Sequence, residues 1–185
     1  MARALELAEA GWGRVHPNPL VGAVVVREGA VVGEGAHREH GGAHAEVEAL
    51  RAAGERARGA TLYVTLEPCA HHGKTPPCTD AILEHGIARV VYAVPDPHPE
   101  AGGGAERLRA AGVAVTEGVA GPAARARNAL FLRPLETGRP FVALKYGLSL
   151  DGRIAARPGE RTRVTGPETE AEVHRLRAGF DAVLV

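Results

Sequence analysis

Apolar and polar positions alternate along the chain in two rhythms, a helical spacing of three to four and short continuous runs, and the two take turns. Residues 2–10 set Leu5, Leu7 and Ala8 among charges and predict a short helix ended by Gly11. Residues 20–27 and 30–36 are apolar runs on either side of Glu28-Gly29, which has the chemistry of a tight hairpin turn. A second helix is predicted over residues 43–53, with Val47 and Leu50 facing the core and Gly54 as its stop. Strands are predicted at 60–66, where Tyr63 and Val64 lie in a run of β-formers, at 89–95 and, as an edge, at 114–119. Helices are predicted at 79–84, 105–111 and 122–131. Helices alternating with strands in this way cover both faces of a sheet, so the fold class is α/β, a three-layer α/β/α sandwich on five strands.

The run Arg133-Pro134-Leu135-Glu136-Thr137-Gly138-Arg139-Pro140 then breaks the pattern. We read residues 1–133 as one domain, 134–140 as a linker and 141–185 as the beginning of a second domain. Residues 181–185 form a further apolar run, read as a strand with nothing to close it.

Candidate chemistry is concentrated in Ala43-His44-Ala45-Glu46, Leu66-Glu67-Pro68-Cys69 and Pro77-Cys78. Zinc takes nitrogen and sulfur donors, and a catalytic zinc keeps three protein ligands and one open position. His44, Cys69 and Cys78 supply such a set, and water on such a site ionises at a pH of about 7 rather than far above it. On a helix, His44 and Glu46 would point about 200° apart. His44 is therefore expected at the helix start, facing the metal, with Glu46 reaching the water as proton shuttle and not as a ligand. Cys69 follows a strand end, the edge where open α/β sheets bind ligands. Cys78 opens a helix, whose amino end favours the thiolate. His71 and His72 are rival donors in the loop and are expected to stay off the metal, because a fourth protein ligand would close the site. Asn18, held extended between Pro17 and Pro19, can offer an amide to a ligand that presents donors and acceptors or can simply make an Asn-Pro turn. Asp96, in Asp96-Pro97-His98-Pro99, is read first as a turn residue. Gly102-Gly103-Gly104 lacks a following lysine and is read as a helix entry rather than a phosphate loop.

His44-x-Glu46 followed by Pro68-Cys69 matches the documented zinc-deaminase pattern, except that eight residues, 70–77, separate the cysteines where the general pattern has two. With that long loop, and with Pro17-Asn18-Pro19-Leu20-Val21-Gly22, Gly35-Ala36-His37 and Asp96-Pro97-His98-Pro99 in order, the chain resembles the riboflavin-biosynthesis deaminase/reductase family. The resemblance implies a cytidine-deaminase-like sandwich with a mixed five-stranded sheet. It implies zinc as cofactor, and hydrolytic deamination of a phosphoribosylated diaminopyrimidinone to the aminouracil with loss of ammonia. His37 and Asn18 are expected to contact substrate and Lys74 to pair with its phosphate. Residues 141–155, beginning Phe141-Val142-Ala143-Leu144-Lys145-Tyr146-Gly147, resemble the first strand and loop of the family's NADPH-dependent reductase domain, related to dihydrofolate reductase, with Gly147 on the cofactor side. Arg161-Thr162-Arg163-Val164-Thr165 departs from the family's Ser-x-Trp, and so reductase activity is expected only of a longer chain. Another deaminase acting on cytidine, guanine or tRNA adenosine, or a structural zinc module, are the competing readings.

Composition narrows the choice. A formal net charge of zero argues against nucleic-acid and membrane partners, both of which favour basic surfaces. Two cysteines make no disulfide framework, and beside a histidine they read as metal ligands in a reducing compartment, the cytoplasm. Residues 1–8 carry charges where a signal peptide needs an apolar run. The partner that the resemblance implies is a small phosphorylated pyrimidine, and a homo-oligomer is expected. Arginine replaces lysine nearly throughout; only Lys74 and Lys145 remain, each inside a motif.

Overall fold

The computed structural model describes residues 1–73, 76–98, 102–160 and 162–184. Its centre is a hairpin. Strands β1 (Gly22–Arg27) and β2 (Ala30–Ala36) run antiparallel, joined where Glu28 and Gly29 take φ of 52° and 80°. Two consecutive left-handed residues match the right-handed twist of the flanking strands, and this turn suits glycine at its second position. On its other side β1 pairs antiparallel with β3 (Thr61–Val64), after which β4 (Arg89–Tyr92) and β5 (Ala114–Thr116) add in parallel. The order β2-β1-β3-β4-β5 is the expected five-stranded mixed sheet. Parallel additions need helical crossovers, supplied by α3 (Cys78–Glu84) between β3 and β4 and by α4 (Gly104–Ala110) between β4 and β5.

Helices α1 (Ala2–Ala8) and α2 (Ala45–Ala53) lie on opposite faces of the hairpin. The glycines show it. A Cβ on Gly22 would come within 2.0 Å of the Ala4 carbonyl of α1, whereas one on Gly35 would come within 2.2 Å of the Ala45 carbonyl of α2. Gly22 is paired with Ala36, so it shares a face with Ala36 and not with Gly35. Two crossing points without side chains thus let two backbones approach one sheet from both sides. Leu50, Val25, Leu62, Val64, Ile82, Val90 and Leu108 are completely buried in the resulting core.

Several expectations are corrected. Helix α2 begins at Ala45, with His44 as its extended N-cap, and its buried face is Ala45, Glu46, Ala49, Leu50 and Ala53. Val47 is only half-buried, because α2 packs alanines against Gly33 and Gly35 and the contact face is turned accordingly. The single helix expected over 122–131 is two, α5 (Gly121–Arg127) and α6 (Ala129–Thr137), meeting at Asn128. Residues 134–137, assigned by the sequence to a linker, are the last turn of α6, which is capped by left-handed Gly138. Neither 141–150 nor 181–184 forms a strand. Val142 and Leu144 are 76% and 86% exposed, and an apolar run without a partner ladder has nothing to pair with. Helix α7 (Pro167–Arg177) was not foreseen, although Pro167 in its first turn, Glu168 and Glu170 near its start and His174, Arg175 and Arg177 near its end are ordinary helix signals. Among the described residues no helix is long and apolar enough to cross a membrane.

Gly35→Ala tests the close approach. A methyl group cannot fit 2.2 Å from a backbone carbonyl, so α2 must move, at a cost of about 1–3 kcal/mol. We expect a lower melting temperature by calorimetry, whereas Gly59→Ala, with nothing within 4 Å, should show only the smaller strain of its φ of +74°.

Candidate metal centre

Three chain segments deliver three donors to one point. His44 sits at the N-cap of α2, Cys69 lies five residues past the end of β3, and Cys78 is the first residue of α3. His44 Nδ1 lies 3.1 Å from Cys78 Sγ and 3.6 Å from Cys69 Sγ, and the three ligand atoms are all within 4.8 Å of one another. A tetrahedral zinc with bonds of about 2.0–2.3 Å separates its ligand atoms by roughly 3.5–3.8 Å. One imidazole nitrogen and two buried sulfurs fit zinc in softness; the 3.6 Å distance lies in that range and the 3.1 Å distance is somewhat shorter. Among the described residues this His/Cys group has three members, and neither His71 nor His72 joins it.

Local backbone prepares the sulfurs. The Cys78 amide donates to Cys69 Sγ at 3.3 Å, and the Thr79 amide donates to the Cys69 carbonyl at 3.3 Å, so the start of α3 faces Cys69. A hydrogen bond from the Cys78 thiol pulls the Cys69 thiol down to about 4. The same contact and burial push Cys78 up. The cluster thus favours a thiolate at Cys69, and zinc binding requires both thiols to give up their protons.

Glu46 is in the first turn of α2, 4% exposed, and burial pushes its carboxyl up to about 7. It lines a cleft of about 310 Å³ together with His44, Cys69, Asn18 and His37. The cleft thus gathers most of the residues picked from the sequence. His37 is 3% exposed; its Nδ1 donates to the Ala43 carbonyl at 3.0 Å, leaving Nε2 to accept from Asn18 Nδ2 at 3.0 Å. Burial lowers the pKa of His37 and keeps the ring neutral, in agreement with that pairing. Asn18 is thereby oriented with its Oδ1 still available to a ligand. Lys74 lies outside the described residues. Gly147 is not part of the cleft; it lines a separate shallow hollow with Arg163, Thr165 and Glu170.

Other residues complete the site. Glu67 is buried and accepts from the amides of Asp96 at 3.3 Å and Ala105 at 2.9 Å, joining the ends of β3 and β4 to α4. Asp96 Oδ1 accepts from the His98 amide at 2.9 Å, the turn expected, and both residues border the cleft. His71 also lines it, with Nδ1 buried and without a hydrogen-bond partner. Asn128 donates to the Leu20 carbonyl and accepts from the Leu20 amide, both at 2.8 Å, and so fixes the segment behind Asn18. Phe131, one turn further along α6, reaches the cleft wall. Asn128 was detectable only as a lone amide in an alanine-rich stretch.

Comparison with known proteins agrees with this geometry. Residues 1–94 match the family model described as the cytidine and deoxycytidylate deaminase zinc-binding region, and residues 140–185 match the RibD C-terminal domain. The riboflavin biosynthesis protein RibD of Escherichia coli is 52% identical over 185 residues, covering 100% of this chain and 50% of that protein. The RibD of Aquifex aeolicus is 51% identical over 186 residues, covering 100% of this chain and 52% of that protein. The chain therefore spans about half the length of the curated relatives it matches. Among solved structures, a diaminohydroxyphosphoribosylaminopyrimidine deaminase/reductase from Thermotoga maritima superposes with a TM-score of 0.89 at 49% identity, covering 96% of this chain and 51% of that one.

Elemental analysis of the purified chain should find one zinc per chain. Cys69→Ser and Cys78→Ser should each lose most of it at equal protein concentration, because a hydroxyl does not ionise to replace the thiolate. Full zinc occupancy in both variants would move the metal elsewhere.

Proposed function

The chain belongs to the cytidine and deoxycytidylate deaminase zinc-binding family and is a RibD-type member of it, and from that premise we propose that it deaminates a phosphoribosylated diaminopyrimidinone, giving the aminouracil and ammonia. The observation that carries the reading is the three-donor group, of which His44 and Cys69 line one cleft together with buried Glu46 and Asn18. Three protein donors leave a tetrahedral metal one open position, as hydrolysis needs and as a structural zinc module does not.

His44, Cys69 and Cys78 would hold zinc, which when bound supplies the Lewis acidity that makes water a nucleophile near neutral pH. The remaining work falls to side chains of this chain. Water oxygen adds to the ring carbon that bears the amine, and a Glu46 oxygen takes the proton released. Glu46 returns that proton to the ring nitrogen, then takes the remaining water proton from the hydroxyl now on the carbon and delivers it to the amine, so that the carbon–nitrogen bond breaks, ammonia leaves and a carbonyl remains. Burial keeps the carboxyl of Glu46 out of bulk water, where a passing proton would be lost to solvent. Asn18 Oδ1, fixed by the neutral ring of His37, accepts from an N–H on the pyrimidine edge. A 5′-phosphate would fall to Lys74, in the loop between the cysteines. Reduction with NADPH at Gly147 is not assigned to residues 140–184 by themselves, since Val142, Leu144 and Tyr146 are 76%, 86% and 68% exposed where a nucleotide-binding sheet buries its strands. Two metal-binding thiols fit a reducing compartment, so we place the reaction in the cytoplasm.

Ammonia release and the accompanying ultraviolet change, measured with the diaminopyrimidine phosphate beside cytidine and guanine, test the proposal. Turnover of cytidine or guanine in preference to the phosphoribosylated substrate would overturn it. Glu46→Gln should keep its zinc and lower kcat by on the order of 10²-fold or more. Loss of zinc in that variant would make Glu46 a ligand instead.

Lys74→Ala should raise KM for the phosphorylated substrate roughly ten- to a hundredfold, the worth of one charge-assisted contact, and leave the dephosphorylated analogue nearly unaffected. Equal losses on both substrates would reassign Lys74 to loop structure.

A further inference from the structure

Helix α4 touches the chain on both sides of Cys69 and just past Cys78. Its first residue, Gly104, lies so near Pro68 that a Cβ there would stand 1.7 Å from the Pro68 carbonyl oxygen, and its second, Ala105, donates to Glu67 at 2.9 Å. One turn on, the Arg107 guanidinium spreads over three acceptors. Nη1 donates to Thr79 Oγ1 at 3.1 Å and, at 3.5 Å, to the Ala70 carbonyl; Nη2 donates to the carboxylate of Asp80. Ala70 follows Cys69, and Thr79 and Asp80 follow Cys78. A single planar fork thus joins the residue after one sulfur ligand to the two residues after the other.

We propose that Arg107 is a positioning residue for the metal centre, acting through the backbone that carries Cys69 and Cys78 to hold the two sulfurs at zinc-binding separation. The proposal rests on the metal reading given above. Two backbone amides, those of Cys78 and Thr79, also tie Cys69 to the start of α3, each at 3.3 Å. Arg107 adds a side-chain tie between the same two segments. Because α4 is itself pinned to Glu67 and Pro68, the guanidinium has a fixed base, and Thr79, which it grips, is completely buried. A guanidinium can meet three acceptors at once because its donors leave in different directions in one plane; a lysine ammonium at the same place reaches fewer of them. The bland alternative is an ordinary ion pair between α4 and α3, and Arg107 and Asp80 are both partly exposed. Such a pair stabilises little and would not act on zinc.

The two readings separate in the rate at which zinc leaves. The 185-residue chain, Arg107→Met and Arg107→Lys are loaded with zinc and mixed with excess chromogenic chelator, and melting temperatures are recorded with and without the metal. Residues that orient metal ligands typically change metal affinity by about 10–100-fold. Arg107→Met should therefore release zinc about 10–100-fold faster than the parent, with Arg107→Lys between them, and the rise in melting temperature on adding zinc should shrink. Release within twofold of the parent, or equal losses of stability in loaded and metal-free protein, would overturn the proposal. Should Arg107→Met not fold, Asp80→Asn removes the charged acceptor alone; release at least threefold faster supports the proposal and an unchanged rate overturns it. A parent chain that holds no zinc would remove the metal centre together with this role of Arg107, whereas a zinc-holding parent with unchanged variants removes the role alone.

Discussion

Two thiol sulfurs and an imidazole nitrogen within 4.8 Å of one another make a group that repels itself once the thiols ionise and is poorly solvated while it stays buried. A cation resolves both problems, but only after the chain has brought the donors together. They come from residues 44, 69 and 78, on a helix cap, beyond a strand end and at a helix start. Everything that positions those three places serves this one convergence. Parallel β3 and β4 end on the same side of the sheet, so the loops leaving them open onto a common edge.

The distance of α2 from the sheet is set by what is missing. Gly33 and Gly35 present no side chains to Ala45, Ala49 and Ala53, so helix and strand backbones meet directly. Larger residues would still give an α/β layer, with the helix lifted and His44 moved off its sulfur partners. The polar ligand end of α2 is thus located by apolar contact a few residues away, which links the hydrophobic pattern to the chemistry.

Polar ties then fix the rim of the cleft. Asn128 grips both backbone groups of Leu20, His37 bridges Ala43 and Asn18, and Glu67 takes amides from two different loops. Asn128, His37 and Glu67 are themselves buried, where an unmatched polar group would be costly, and so each selects one arrangement of the loops it joins. Bound substrate would meet a wall already in place. At the separate hollow by Gly147 a tie among the described residues is the Arg163–Glu170 ion pair, whose side chains are largely exposed and so select an arrangement less strongly.

What the sequence determined by itself was periodic or chemically rare. The hairpin about Glu28-Gly29, the strand and helix order through β5, and a donor set of one histidine and the chain's two cysteines were all legible, because each depends on local spacing or on residue types with few alternatives. Tertiary structure decided the rest. It turned Val47 partly outward because glycines on the facing strand fix the contact, and it broke one expected helix at Asn128, whose amide is spent on Leu20 from a distant part of the chain. It left 141–150 without a strand, since a strand exists only with a partner ladder. It also gave Glu67, Phe131 and Arg107 their places at the site through contacts far apart in sequence, which no local pattern encodes.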